Sequence, residues 1–186
     1  MANKNKQVPI EDDPLTVLKK YELIKKNSIT NGCFLLFMKN ESILGQIEIG
    51  KFSDEITIKD SLTLKTDLFS TINSILEFIR KQINKSYIIT GQPQREERWD
   101  YPMDAVREIV INMIVHRDYV NSSHSIIKIF DEKIEFFNPG SLIGNLDVKN
   151  LISGEYSSQI RNKQIAHLFK EASIIEQYGS GIKRIL

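Results

Sequence analysis

One segment near the middle of the chain constrains the fold most, because its polar residues recur at the spacing of one helix face. Asp104, Glu108, Asn112 and His116 follow one another at intervals of four. On an α-helix, side chains four residues apart lie roughly 6 Å from one another. The other positions from Ala105 to Val115 are mostly apolar, and a helix that is apolar on nearly all sides is normally buried. The pattern predicts a buried helix with one polar line, whose side chains need partners.

This polar line has two interpretations. In the simpler one, its side chains hydrogen-bond neighbouring strands and cap the helix, as buried polar groups usually do. In the functional one, Glu108 is a carboxylate that can take a proton from water, and Asn112 supplies an uncharged oxygen for a hard cation. A carboxylate and an amide at this spacing suit chemistry on phosphate groups.

Length and composition set limits on both interpretations. A chain of 186 residues with 41% hydrophobic content is long enough for one globular domain with a small appendage. The net charge of +1 gives no global indication of binding to nucleic acid or to an acidic membrane. A single cysteine, Cys33, excludes an internal disulfide, and three well-separated histidines argue against structural zinc. Cys33 lies in an apolar run, which favours a buried thiol. Without a long apolar stretch or a signal peptide, we expect a cytoplasmic protein.

The N-terminal half predicts a tail over residues 1–13 and then a small α/β segment over residues 14–100. Asp13-Pro14 favours a helix that begins there and continues to about Lys26. A second helix is predicted from Asp67 to about Lys85, because its apolar residues follow helical spacing. The β-type runs are Phe34–Met38, Gln46–Phe52, Ile56–Ile58 as a third candidate, and Tyr87–Thr90, followed by a charged connecting arm over Gln92–Pro102.

The C-terminal half predicts a hairpin, a sharp turn, a loop and helices. The runs His124–Phe130 and Lys133–Phe137 favour a β-hairpin, which ends at Asn138-Pro139-Gly140, where the chain must turn sharply. Residues from Ile143 to Gln159 lack periodicity and predict a mobile loop, which could serve as a lid. A helix is predicted from Arg161 to Glu171. Further on, Gly179 and Gly181 precede a final helix, whose outward N–H groups would form an anion site.

The order of these motifs resembles the nucleotide-binding fold of the GHKL superfamily of ATPases, over residues 101–186. Closer still is the similarity to a domain of bacterial transcriptional regulators that are often named RecG-like or helicase-related. In that family an Alba/Schlafen-like DNA-binding domain usually precedes a segment similar to residues 28–100, so we expect this chain to be a fragment of a longer protein. The similarity is carried by Tyr101-Pro102, Arg107-Glu108, Asn112, His116-Arg117-Asp118-Tyr119, Asn138-Pro139-Gly140, Ser158, Arg161-Asn162, Glu176, Gly179 and Gly181, and by Thr30-Asn31-Gly32 with Leu35-Leu36-Phe37.

The resemblance implies a two-layer α/β sandwich with a mixed sheet, preceded by a small α/β segment packed against it. It implies ATP and Mg²⁺ as cofactors, with Glu108 as the catalytic residue that orients or deprotonates the attacking water and Asn112 as the metal ligand. The Asp-x-Gly turn that receives the adenine amino group matches Asn138 to Gly140. The remaining cofactor-binding residues implied are His116, Arg161, Asn162, Gly179 and Gly181.

This sequence departs from the family at two positions. Asn138 stands where the family has aspartate, which removes a charge-assisted hydrogen bond that helps to select adenine. Lys183 stands where a further glycine would often fall, so that the second glycine motif is shorter. Both departures predict weakened nucleotide binding.

Three functions from different classes remain open. The first is an ATP-binding regulatory domain, with slow hydrolysis at most, whose nucleotide state controls a DNA-binding domain outside this chain. The second is a GHKL scaffold without nucleotide, which acts as an interaction or dimerisation module, for example as a homodimer. The third, with less support, is direct DNA binding by a face lined by Arg95, Arg98, Arg107, Arg117 and Arg161. A helicase motor is excluded for this chain, because it has no Gly-x-x-x-x-Gly-Lys-Ser/Thr loop.

Overall fold

A computed structural model describes residues 13–83, 85–88, 96–153 and 159–175 of the chain. A short 3-10 turn, Ile43–Gly45, precedes the first long strand. The helices are α1 (Pro14–Lys20), α2 (Asn31–Phe37), α3 (Leu68–Gln82), α4 (Met103–His116), α5 (Val148–Ser153) and α6 (Lys163–Glu171). The strands are β1 (Ile24–Lys25), β2 (Ser28–Ile29), β3 (Ile47–Phe52), β4 (Ile58–Leu64), β5 (Lys85–Ile88), β6 (Glu96–Trp99), β7 (Ser125–Ile129) and β8 (Ile134–Phe137).

A four-stranded mixed sheet joins the two halves of the chain. Its strand order is β4-β3-β7-β8. The central pair, β3 and β7, is parallel, with Ile47 opposite Ser125 and Ile49 opposite Ile127, and the two outer pairs are antiparallel. The predicted N-terminal segment and the predicted nucleotide-binding domain therefore each contribute two strands to one sheet. Their division at residue 100 stays a prediction, although the two parts share hydrogen bonds.

Helices pack on one face of this sheet and form the core with it. Asp67 begins α3, because its carboxylate accepts a hydrogen bond from the Ser70 amide across 3.0 Å. Helix α3 then packs against α4. Fully buried side chains from both layers meet between the helices and the sheet; they include Ile49, Ile75, Ile79, Val110, Ile114 and Ile127. The predicted two-layer α/β sandwich with a mixed sheet is confirmed.

Two predictions for the first forty residues are wrong. The first helix ends at Lys20 rather than near Lys26, because positive φ angles at Glu22, Lys26 and Asn27 turn the chain into the small β1–β2 hairpin. The expected strand over residues 34–38 is part of helix α2. Thr30 caps this helix by accepting a hydrogen bond from the Cys33 amide across 3.1 Å, which favours a helical start over an extended run.

Other boundaries also differ from the sequence prediction. The third candidate strand is longer and later than Ile56–Ile58, since β4 continues through a polar stretch to Leu64 at the edge of the sheet. The expected connecting arm contains strand β6, which pairs with β5. The expected loop after Ile143 contains α5, where the side chains of Asp147 and Asn150 each accept a hydrogen bond from the other's backbone amide. Residues 89–95 and 154–158, which complete these predictions, lie outside the described residues.

Several other local predictions are confirmed. Strand β3, helix α3, the β7–β8 hairpin and helix α6 form where the sequence indicates. Cys33 is buried, and burial raises the pKa of its thiol. Among the described residues, no helix has both the length and the apolar character that crossing a membrane requires.

Candidate functional site

Helix α4 carries the polar line predicted from the sequence. Its buried side includes Val110 and Ile114, which are inaccessible to solvent. Along the polar line, Asp104 is exposed, whereas Glu108, Asn112 and His116 are half-buried. The helix is therefore buried on its apolar side, as predicted, whereas its polar line is only partly buried. The polar line lies at the edge of the core, where a ligand could reach it.

Glu108 and Asn112 contact each other directly. The Asn112 amide nitrogen donates a hydrogen bond to Glu108 Oε1 across 3.2 Å, within a single turn of the helix. This contact fixes which end of the amide faces the carboxylate, and no described residue donates to Asn112 Oδ1. A free amide oxygen beside a carboxylate is a donor set that suits Mg²⁺.

The protein offers few further metal ligands at this place. No group of three histidine, cysteine or acidic side chains comes together within the described ranges. Mg²⁺ commonly keeps several waters and uses one or two protein oxygens together with substrate phosphates. Asn112 Oδ1 fits that mode of binding, in which phosphate oxygens complete the coordination.

His116 ends the polar line at the last position of α4. Burial lowers the pKa of its imidazole, and the positive charge of Arg161 lowers it further. The imidazole is therefore held neutral near pH 7, in the form that can both donate and accept a hydrogen bond. Its predicted role in cofactor binding stays a prediction.

Asn138 follows β8, and both ends of its amide are engaged by the protein. Its Oδ1 accepts a hydrogen bond from Ser125 Oγ across 2.8 Å, and its Nδ2 donates to the Met113 carbonyl across 2.9 Å. An aspartate would retain the bond to the serine but would place an acceptor against the Met113 carbonyl. This geometry gives a physical reason for asparagine at position 138.

Gly140 completes the turn after β8. Its φ is +113°, a conformation that side chains with a Cβ rarely adopt. A Cβ added there would lie 3.0 Å from Asp118 Cβ. Glycine is therefore required at this position by the backbone conformation and by the close approach of the loop after α4.

Arg161 and Asn162, predicted to bind the cofactor, direct their donors at the protein backbone. Arg161 donates from Nε to the His116 carbonyl across 3.1 Å and from a terminal nitrogen to the Ser141 carbonyl across 2.6 Å. Asn162 Nδ2 donates to the Val115 and Arg117 carbonyls, across 2.9 and 2.7 Å. Asn138, Arg161 and Asn162 thus gather at the C-terminal end of α4, where they donate to backbone carbonyls between Met113 and Arg117.

Arg117 is a buried arginine, which the sequence did not predict. Its side chain is only 2% exposed, and its terminal nitrogens donate to the Gln46 carbonyl across 2.7 Å and the Ser123 carbonyl across 3.3 Å. Burial lowers the pKa of this guanidinium, which stacks 5.0 Å above the Tyr119 ring. The prediction that Arg117 lines a DNA-binding face is therefore wrong, because solvent and ligands do not reach it.

Several residues of the predicted site have no structural account here. Gly179 and Gly181, together with Ser158 and Glu176, lie outside the described residues. The same holds for Arg95. Their proposed roles as phosphate or nucleic-acid contacts stay predictions from the sequence.

Comparison with known proteins adds information on the C-terminal part and on the fold. Residues 123–186 match a family model described as "Putative ATP-dependent DNA helicase recG C-terminal". That match begins after α4 and so does not include Glu108 or Asn112. No curated protein matches the sequence.

A crystal structure of the DIP2311 protein from Corynebacterium diphtheriae is similar to this one, with a TM-score of 0.77 and 16% sequence identity. The similarity covers 94% of this chain and 36% of that one, so the chain spans about a third of the length of this relative. At this identity, the similarity shows a shared fold. Together with the fold, the family match supports an ATPase-like domain related to RecG in the C-terminal part of the chain.

Proposed function

We propose that the C-terminal part of the chain is an ATP-binding regulatory domain of a transcriptional regulator, whose nucleotide state controls a DNA-binding domain outside this chain. The observation that carries the proposal is the contact between Glu108 and Asn112, which leaves the Asn112 amide oxygen directed away from the carboxylate. The family match over residues 123–186 supports the nucleotide as ligand. Regulation and the DNA partner rest on the resemblance of the sequence motifs.

The chemistry of the proposed site follows from these two side chains. Asn112 Oδ1 would ligate Mg²⁺, which when bound neutralises charge on the nucleotide phosphates. Glu108 retains Oε2 free of the amide contact, so it can accept a proton from a water molecule or orient it.

Base selection at this site would be weak. Asn138 Oδ1 already accepts one hydrogen bond, from Ser125 Oγ, and its remaining lone pair carries no formal charge. A neutral acceptor forms a weaker bond to an adenine amino group than a carboxylate does, by roughly a factor of two in energy. We therefore propose that the domain discriminates poorly between adenine and other bases.

A second function is favoured by a specific observation. Asn138, Arg161 and Asn162 all direct donors at backbone carbonyls, and these are three of the residues that the resemblance assigned to the cofactor. A scaffold that keeps these contacts without nucleotide would serve as an interaction or dimerisation module. In that case, substitutions at Glu108 and Asn112 would change the folding stability and would not change the affinity for a nucleotide.

Calorimetric titration with a non-hydrolysable ATP analogue separates the two functions. The titration is made with and without Mg²⁺ on the wild type, on Asn112→Ala and on Asn145→Ala, an exposed control in the loop before α5. Saturable Mg²⁺-dependent binding that is lost in Asn112→Ala and retained in Asn145→Ala supports the nucleotide switch. Absence of heat at millimolar ligand, from a folded sample, overturns it and favours the scaffold.

A further inference from the structure

The C-terminal end of α4 is enclosed by donors from three separate segments of the chain. The last four carbonyls of an α-helix have no donor within the helix. In α4 these carbonyls belong to Met113, Ile114, Val115 and His116. Each of them accepts a hydrogen bond from a side chain outside the helix. We name this group the carbonyl collar, and its members are Tyr119, Asn138, Arg161 and Asn162.

The four residues of the carbonyl collar contact four successive carbonyls along the last turn of the helix. Asn138 Nδ2 reaches the Met113 carbonyl across 2.9 Å, and the Tyr119 hydroxyl reaches the Ile114 carbonyl across 3.2 Å. Asn162 then reaches Val115, and Arg161 reaches His116 across 3.1 Å. The chain leaves the helix at Arg117 in an extended conformation, without the glycine that often ends a helix, so side chains satisfy these carbonyls instead.

Asn162 has no side-chain donor left for a ligand. Its amide nitrogen carries two protons, and the Val115 and Arg117 carbonyls lie 2.9 and 2.7 Å away. Its backbone amide also donates to the Val115 carbonyl, across 3.2 Å. A direct contact of this amide nitrogen with a phosphate would require it to release the helix end.

Arg161 connects the helix end to the chain after the β8 turn. Its terminal nitrogen donates to the Ser141 carbonyl across 2.6 Å. The same guanidinium donates to the His116 carbonyl and lies 3.9 Å from the Asp118 carboxylate. One side chain therefore holds Ser141 at the end of the helix that carries the polar line.

We propose that the carbonyl collar is a positioning device for the Glu108–Asn112 pair. Asn112 lies one turn before the end of α4, so release of the collar would let the last turn fray and would move the amide away from Glu108. Arg161 and Asn162 are thus positioning residues rather than nucleotide ligands. The part of this inference that concerns ligand affinity rests on the proposed function.

The coupling works in both directions. If the intact collar favours the arrangement of the pair that binds a ligand, then a ligand on the pair favours the intact collar by the same factor. The collar residues need no contact with the ligand for this coupling, because they act through the carbonyls of the helix end. Residues 161 and 162 are therefore places where nucleotide affinity can change without loss of a nucleotide contact.

Asn162→Asp tests the collar, with Asn145→Asp as the matched control on an exposed residue. The aspartate is nearly isosteric but has no protons to donate, and its charge opposes the negative end of the helix dipole. In the ligand-free chain, we expect hydrogen exchange in α4 to become about tenfold faster in Asn162→Asp, which corresponds to one unsatisfied hydrogen bond. The side-chain amide resonance of Asn112 is expected to shift in the same variant. Neither change is expected in Asn145→Asp.

Arg161→Lys keeps the positive charge. Lysine lacks the planar guanidinium, so its single ammonium group cannot donate to the His116 and Ser141 carbonyls in the geometry that arginine uses. It serves as the second variant if Asn162→Asp does not fold. Unchanged exchange in α4 and an unchanged Asn112 resonance in a folded variant would overturn the positioning role. Wild type that fails to bind the ATP analogue would sink the proposed function alone, since both readouts are measured without ligand.

Discussion

The side-chain amide of Asn112 lies 3.2 Å from Glu108 Oε1 and donates a hydrogen bond to it. One residue thereby sets the orientation of the other, since the amide must turn its oxygen away from the carboxylate. The pair consists of a candidate metal ligand and a candidate base that are held together before any ligand binds. Substitutions that keep or remove this contact therefore separate the two roles.

Glu108→Gln is expected to retain Mg²⁺-dependent binding of an ATP analogue, because a glutamine oxygen still accepts the hydrogen bond from Asn112. It is expected to abolish any ATP hydrolysis, because an amide does not take a proton from water near pH 7. Phosphate release and calorimetry on the same preparation measure the two effects. By contrast, Asn112→Ala is expected to lose both the binding of the ATP analogue and the hydrolysis of ATP. Hydrolysis at the wild-type rate in Glu108→Gln would show that Glu108 is not the base.

Asn138→Asp tests the explanation for asparagine after β8. The variant leaves the Met113 carbonyl without its donor and places a negative oxygen near it, so we expect a loss of about 1–3 kcal/mol in the free energy of unfolding. Urea denaturation of the variant, the wild type and Asn145→Asp measures this loss. A variant as stable as the wild type would show that the 2.9 Å contact contributes little.

Gly140→Ala should destabilise the fold more than Gly144→Ala, although both glycines have positive φ. At Gly144 the φ of +65° is close to the left-handed helical region, and the nearest atom to an added Cβ is the end of the Gln159 side chain, at 3.2 Å. At Gly140 the φ is +113°, and the nearest atom is Asp118 Cβ, at 3.0 Å. We expect a cost of about 1 kcal/mol at Gly144 and about 3 kcal/mol at Gly140. Thermal denaturation of both variants gives the order, and the reverse order would contradict the tight turn.

Local signals were sufficient to predict part of this fold. The periodicity of α3, the alternation in the β7–β8 hairpin and the glycine turn after β8 depend on neighbouring residues, so the sequence indicates them directly. The run from Phe34 to Phe37 was ambiguous, because a short apolar run fits a strand as well as a buried helix. The sequence does not predict the full length of strand β4, because its polar residues adopt a strand only through pairing with β3 at the edge of the sheet.

The candidate site was predictable in its spacing but not in its contacts. The interval of four residues between Glu108 and Asn112 indicates their contact directly. The collar could not be found in this way, because three of its four contacts join residues 25 to 47 positions apart, and only the tertiary fold brings these together. The resemblance predicts that Arg161 and Asn162 contact a cofactor, whereas in the structure their side-chain donors face backbone carbonyls.

His116 is expected to reduce stability on the acidic side of neutrality. Its folded-state pKa lies below the ordinary value near 6.5, because of burial and then the charge of Arg161. The unfolded chain therefore binds a proton more readily than the folded chain, and protonation favours unfolding. The stabilising contribution is complete above pH 6.5 and is lost as pH falls from there through the lowered folded-state pKa.

Comparison of His116→Gln with the wild type isolates this contribution from the carboxylates, which also titrate in acid. Urea midpoints measured from pH 8 to pH 5 should fall less steeply for His116→Gln than for the wild type. Asn145→Gln, at an exposed position in the loop before α5, is the control and should follow the wild type. Parallel curves for all three proteins would mean that His116 takes up a proton in the folded chain without cost, which contradicts its burial beside Arg161 at the end of α4.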